Sequence, residues 1–242
     1  MHEAGIVHRD LHGGNILIHK NKNSELTAYI SDFGCATVIN GDKNNVIQNR
    51  ALFSPAKQSK IYNLEKEYKE TASKIKEPGS KDVEKLKARN AEILNEISKI
   101  GGDPSEDSFA FGVEICRLAK FFRPEGAKNN HTWLNLKADP LKAHEEVVNF
   151  VNRSFGDEES ALKTLVLNLL RLDPSDRLGS QALIDELNAI SDEEIAKIWP
   201  DEDNIENKNE NQINDGEYES SYANDSMPEN DYDGEYYKTD NS

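Results

Sequence analysis

An α+β fold, mainly α, is predicted for this chain by three observations. Two short β-like runs flank a polar turn near the N-terminus, and segments beyond residue 57 carry apolar side chains at helical spacing. Residues 201–242 carry almost no aliphatic side chains and mark a separate tail. Charge follows the same division. The 242 residues hold 29 Lys and Arg against 45 Asp and Glu, a net charge of −16. The tail alone has 14 acidic residues and two lysines, which puts −12 there and leaves −4 for residues 1–200. No nucleic-acid partner is expected, because neutralising phosphates needs clustered Lys and Arg. No apolar run approaches the roughly 18 residues that span a bilayer, and no secretory leader is visible, so no membrane partner is expected. Cys35 and Cys116 read as two reduced thiols in a cytoplasmic setting, with one bridge as the alternative.

The elements follow in order. Residues 16–19 and 28–31 read as strands around the polar turn 20–24, a β-hairpin. In 59–100, Ile61, Leu64, Tyr68, Ala72 and Ile75 recur at three- and four-residue steps, and Pro78-Gly79 follows. The pattern resumes with Val83, Leu86, Asn90, Ile93, Ile97 and Ile100, which predicts a second amphipathic helix and hence a helical hairpin. Asn90, alone and polar on the stripe, reads as a register-setting residue. The plain alternative is a solvated hairpin packed only on itself. Residues 108–121 read as a buried helix, and 161–172 and 180–190 as helices separated by Asp173-Pro174. The two predicted domains are therefore 1–199, with 59–100 inserted in it, and a disordered acidic tail over 200–242, whose ordering entropy of about 1–2 kcal/mol per residue little apolar burial offsets.

The chemistry concentrates in His8-Arg9-Asp10-Leu11-His12-Gly13-Gly14-Asn15 and in Ser31-Asp32-Phe33-Gly34, at the two ends of the predicted hairpin. A carboxylate ending one strand and an amide opening its partner can converge on one cation. Hard oxygen ligands with positions left open for phosphate oxygens suit Mg²⁺. This H-R-D-L-x-x-x-N stretch followed by D-F-G resembles the catalytic and metal-binding loops of the eukaryotic-type protein kinases. Asp107-Ser-Phe-Ala-Phe-Gly-Val113 resembles the central helix of that family's C-lobe, and Leu172-Asp173-Pro174-Ser175-Asp176-Arg177 its late D-P-x-x-R turn. The resemblance covers about residues 1–190. It implies a kinase-like C-lobe that uses ATP and Mg²⁺ to phosphorylate a protein substrate, more often at Ser or Thr. By the same resemblance Asp10 accepts the substrate hydroxyl proton, Asn15 and Asp32 hold the metal, and Leu17 floors the adenine. His8, Asp107 and Arg177 are implied to be structural.

The chain departs from that family's pattern in four respects. No Gly-rich loop or lysine-bearing strand precedes residue 1, so either a truncation beginning at an internal Met or a kinase-derived C-lobe standing alone is expected. His12 occupies the place of a lysine that neutralises the transferring phosphate, and D-L-H-x-G-N instead resembles bacterial-type kinases and small-molecule phosphotransferases. Arg9 points to tuning by charge on the segment 35–55, where Thr37 and Ser54 are the hydroxyl acceptors. The acidic partner that the family supplies to Arg177 is missing after Ser54-Pro55, and Glu65 or Glu67 is the expected substitute. The hairpin 59–100, beside where substrates dock, is the expected partner surface. A non-catalytic interaction scaffold is the rival reading.

Overall fold

Two antiparallel ribbons share one path through residues 6–38. Strand β1 (Ile6–Val7) pairs with β4 (Thr37–Val38), and β2 (Ile16–Lys20) with β3 (Leu26–Ile30) in the register Ile16↔Ile30 and Leu17↔Tyr29. The strand boundaries lie within two residues of those the sequence predicts. Asn21 closes the turn, its Oδ1 accepting from the Asn23 and Glu25 amides. Because the ribbons are nested, the loop leaving β1 and the loop leaving β3 face each other. In a computed structural model, residues 1–39, 53–79, 82–100, 102–121, 132–156 and 159–198 are described, all within the unit Met1–Trp199. The expected acidic tail and residues 40–52 lie outside them.

The rest of the described chain is helical: α1 (Pro55–Lys76), α2 (Val83–Lys99), α3 (Pro104–Phe121), α4 (Pro140–Phe155), α5 (Ala161–Leu169), α6 (Ser180–Ala189) and α7 (Asp192–Ile198). Local chemistry sets several starts. Asp139 accepts from the Lys142 amide ahead of Pro140, and Ser160 accepts from the Lys163 amide. Helix α5 ends three residues before the predicted 172, because residues 170–173 turn to deliver Arg177 inward. Among these helices none is long and apolar enough to cross a membrane.

Helix α3 is the centre. Most of its residues from Glu106 to Cys116 are buried, apolar and polar alike, and such a helix is stable only when enclosed and its polar groups are partnered. Phe109, Val113 and Cys116 pack with Trp133, Val147, Phe150 and Val151 of the 132–155 region and with Leu162, Leu165, Val166 and Leu169 of α5. Trp133 meets Phe150 edge to face at 5.3 Å. Gly112 lets the backbones close: a Cβ there would stand 3.0 Å from Leu170 Cγ and 3.1 Å from Leu169 Cβ. Cys35 and Cys116 are both free thiols.

The helical hairpin begins at Pro55, four residues ahead of the expected 59. Ile61, Leu64, Ile93, Ile97 and Ile100 enclose a core of their own with Phe53. Asn90 accepts from the Thr71 hydroxyl across the pair, and Arg89 forks onto Glu67 at 2.7 and 3.0 Å. That fork holds the Glu67 carboxyl below its ordinary range. The hairpin is not packed only on itself. Helix α1 also lies against α4 and the turn Thr132–Asn135.

Glu67 is therefore committed to Arg89, and neither it nor Glu65 serves Arg177. Glu106 does. Its Oε1 lies 2.7 Å from Arg177 Nη1, with the two side chains 2% and 0% exposed. Arg177 completes its donors on the carbonyls of Arg171, Ser105 and Leu172, and stacks over Phe109 at 5.1 Å. Glu106 also accepts from the Ser54 amide and hydroxyl, both at 3.1 Å. Ser54 is fully buried there, which removes it from the hydroxyls expected to be open to modification. Glu106→Ala should lower unfolding free energy by about 3–5 kcal/mol, as for any buried pair stripped of one charge, measured by urea denaturation.

Candidate functional site

The loop from His8 to Asn15 is held by its own backbone and by α3. Asp107 in the first turn of α3 is 2% exposed. It accepts from the His8 amide at 2.7 Å, the Arg9 amide at 2.8 Å and His2 Nε2 at 2.8 Å. His2 Nδ1 in turn lies 2.7 Å from Ser180 Oγ, which ties the N-terminus to α6. One helical turn on, Ala110 packs against Leu11. One further turn on, Glu114 accepts from the Gly13 amide at 3.1 Å and pairs with Arg117 at 2.5 Å.

Within the loop, Asn15 Nδ2 donates to the Asp10 carbonyl at 2.8 Å and lies 3.4 Å from Asp10 Oδ2. That leaves the Asn15 Oδ1 as the atom available to a cation. Asp10 Oδ1 is buried without a hydrogen-bond partner among the described residues. The Gly14 amide donates to His12 Nδ1 at 3.1 Å, so Nδ1 is the lone-pair nitrogen and Nε2 carries the proton. Nε2 stands 3.8 Å from Asp10 Oδ2. A Cβ on Gly14 would fall 2.8 Å from His12 Cε1, so only glycine lets the imidazole lie here.

The second loop is joined to the first by continuing the β2–β3 ladder. The Ser31 amide and hydroxyl donate to the Asn15 carbonyl at 2.8 and 3.1 Å, and His8 Nε2 donates to the Ser31 carbonyl at 2.9 Å. Asp32 follows, exposed, with φ of 57° and Oδ1 accepting from the Gly34 amide at 3.1 Å. Arg9 also has a positive φ, 71°. Two non-glycine residues in this sparsely populated region, one on each facing loop, cost on the order of 1–3 kcal/mol each and are kept by surroundings that over-determine them. Phe33 meets the buried His8 ring edge on at 5.1 Å.

The structure thus brings Asp10, His12, Asn15 and Asp32 to one end of the ribbon. Leu17 stands on β2 two residues beyond Asn15, opposite Tyr29, and is 56% exposed. The donor set fits Mg²⁺ in kind: one carboxylate and one amide oxygen, with the remaining positions left to phosphate and water. Among the described residues no group of three or more His, Cys, Asp or Glu gathers as a protein-only metal site. Arg9 is buried, and none of its guanidinium nitrogens has a hydrogen-bond partner among the described residues. Burial draws its pKa down, while Cys35 and Asp107 oppose that. The Cys35 thiol is pushed up by burial and by Asp10. A cleft of about 530 Å³ opens elsewhere, between Ala56, His144, Arg171 and Asp173–Asp176, and contains none of these residues.

Sequence reasoning missed Glu106, Glu114 and His2. Glu114 carried a signal: it lies seven residues after Asp107 in an otherwise apolar segment, hence on the same helical face.

No known family model matches the chain, and no curated protein matches it.

Asp107→Ala should orphan the His8 and Arg9 amides at a cost of about 1–3 kcal/mol each. Hydrogen exchange at those two amides should accelerate, while amides of α4 and α5 change no more than global stability does.

Proposed function

We propose that this protein is an ATP-dependent protein kinase that transfers the γ-phosphoryl group to a protein hydroxyl, more often Ser or Thr. The observation that carries the reading is the meeting of two loops: Asn15 donates to the Asp10 carbonyl and accepts from Ser31, the residue before Asp32. Asp10, His12, Asn15 and Asp32 thus lie on two joined loops, in the order that the kinase resemblance implies, although the folding of the loops depends on other residues.

Asn15 and Asp32 would hold Mg²⁺, and Leu17 with Tyr29 would lie under the adenine. Magnesium–ATP supplies the activated phosphoryl group and a cation to offset its charge. Asp10 orients the acceptor hydroxyl and takes its proton, in a reaction where positioning supplies most of the acceleration. His12, with its proton on Nε2, would donate to the transferring group in place of a lysine. Arg9 would receive an acidic or phosphorylated side chain of the segment 35–55. A cytoplasmic location accords with the reduced thiols.

A small-molecule phosphotransferase is the second reading, favoured by the His12 ring seated on Gly14. A non-catalytic scaffold acting through the helical hairpin is the third, favoured by the openness around Leu17.

The test is magnesium-dependent transfer from saturating ATP to a mixed protein acceptor. Asp32→Asn and Asp10→Asn should each abolish transfer with the melting temperature unchanged within about 2 °C. Transfer that survives both substitutions overturns the reading, and transfer only to small hydroxyl compounds selects the second. Because Leu17 is 56% exposed, the 242-residue chain should bind magnesium–ATP with a Kd of about 1 mM or weaker, measured calorimetrically. A micromolar Kd would show an enclosed site.

A further inference from the structure

We infer that Glu114 is a positioning residue for the candidate site, acting through the Gly13 amide to hold the turn that carries Asn15. The inference rests on the phosphoryl-transfer reading for its consequence, but not for its geometry.

Glu114 is 5% exposed, in the middle of the largely buried helix α3. A carboxylate in such a place is costly unless both oxygens are satisfied. Arg117 satisfies one, and an ion pair of that kind needs no burial. The Gly13 amide satisfies the other, from an exposed turn that lies over this face of α3. Gly13 opens the short 3₁₀ turn Gly13–Asn15, whose first amide has no acceptor within the turn. Glu114 supplies that acceptor from outside, with a negative charge where the amide dipoles favour one.

The placement matters because of what lies on either side. Asp107 fixes the loop before Asp10, at the His8 and Arg9 amides. Glu114, two helical turns along, fixes it after Asp10. Between the two clamps sit Asp10 and His12, and directly beyond the second sits Asn15. Gly13 and Gly14 are the most permissive pair of residues in the loop. Besides Glu114, this pair is held by the Gly14 amide on the His12 ring, by the Asn15 amide on the His12 carbonyl at 2.8 Å and by the Ile16 amide on the Gly13 carbonyl. A displacement of the turn would move Asn15 away from Asp32 and the Asp10 carbonyl together.

The experiment compares Glu114→Leu, Glu114→Gln and Arg117→Met in the full chain, by amide hydrogen exchange and by transfer rate against magnesium concentration. Glu114→Leu should accelerate exchange at Gly13 by tenfold or more, with His8 and Arg9 still protected. It should also lower kcat roughly ten- to a hundredfold and raise the magnesium concentration needed for half-maximal rate. Glu114→Gln keeps an acceptor oxygen, so Gly13 should stay protected and most of the rate should return. Arg117→Met should leave Gly13 protected.

Protection of Gly13 in Glu114→Leu equal to wild type overturns the inference. Equal loosening at His8, Arg9 and Gly13, or a Gln variant as defective as the Leu variant, reduces Glu114 to general packing and overturns it too. If Glu114→Leu does not fold, Glu114→Gln decides: exchanging a charged acceptor for a neutral one should move the Gly13 amide proton resonance upfield, and an unmoved resonance overturns the assignment. If wild type transfers no phosphate, the kinase reading fails, and Glu114 is judged on Gly13 exchange alone.

Discussion

One carboxylate with three donors organises the site-bearing half of the molecule. Asp107 enters from the first turn of the buried helix α3 and takes the amides of His8 and Arg9 together with the His2 ring. Those amides would otherwise be buried without acceptors, because the loop they begin bends away from any strand partner. Arg9 holds its left-handed backbone conformation directly beside this anchor, and the chain direction at Asp10 follows from it. Asp107 thereby ties the N-terminal segment and the start of the loop to the helical body, from a position set by core packing.

A second buried carboxylate of α3 answers a charge brought in from a distant stretch of chain. Glu106 precedes Asp107 and faces the other way, so one turn of helix serves two unrelated tasks. It neutralises Arg177, 71 residues on, and seats Ser54, 52 residues back. The charge required beside Arg177 is thus present in space, although it comes from a different stretch of chain. What burial demands is a carboxylate at that point, not a carboxylate at one place in the sequence.

Much of the fold was legible in the chain because its signals are local. The 3.6-residue spacing from Ile61 to Ile100 gave both arms of the hairpin, and Pro78-Gly79 gave its turn. The β2–β3 pair could be read from two apolar runs around a polar turn, although both strands were displaced by one or two residues. At the site, Asp10, Asn15 and Asp32 stand out by residue type and spacing, and the Ser31 bonds to the Asn15 carbonyl join the two loops that carry them. The remainder was not local. Nothing in the neighbourhood of Glu106 distinguishes it from a helix-starting acid, and nothing near Gly13 announces an acceptor on a helix a hundred residues away. Glu67 was misjudged for the same reason: its real partner, Arg89, is set by how two helices cross, which spacing along one of them does not reveal.

The openness of the β2–β3 ribbon has a colloidal consequence. Every residue of both strands is exposed or half-buried, and Ile18, Leu26 and Ile30 share one face with more than 40% of their surface in water. A two-stranded ribbon is marginal on its own, and its outer edges present unpaired amides and carbonyls to any passing strand. Lys20 and Lys22 at the turn discourage approach there by charge repulsion, but the edges nearer Asn15 carry no such guard. At high protein concentration the ribbon is therefore the part of this molecule most prone to join with its own kind, and the surplus of negative charge over the chain is what keeps copies apart.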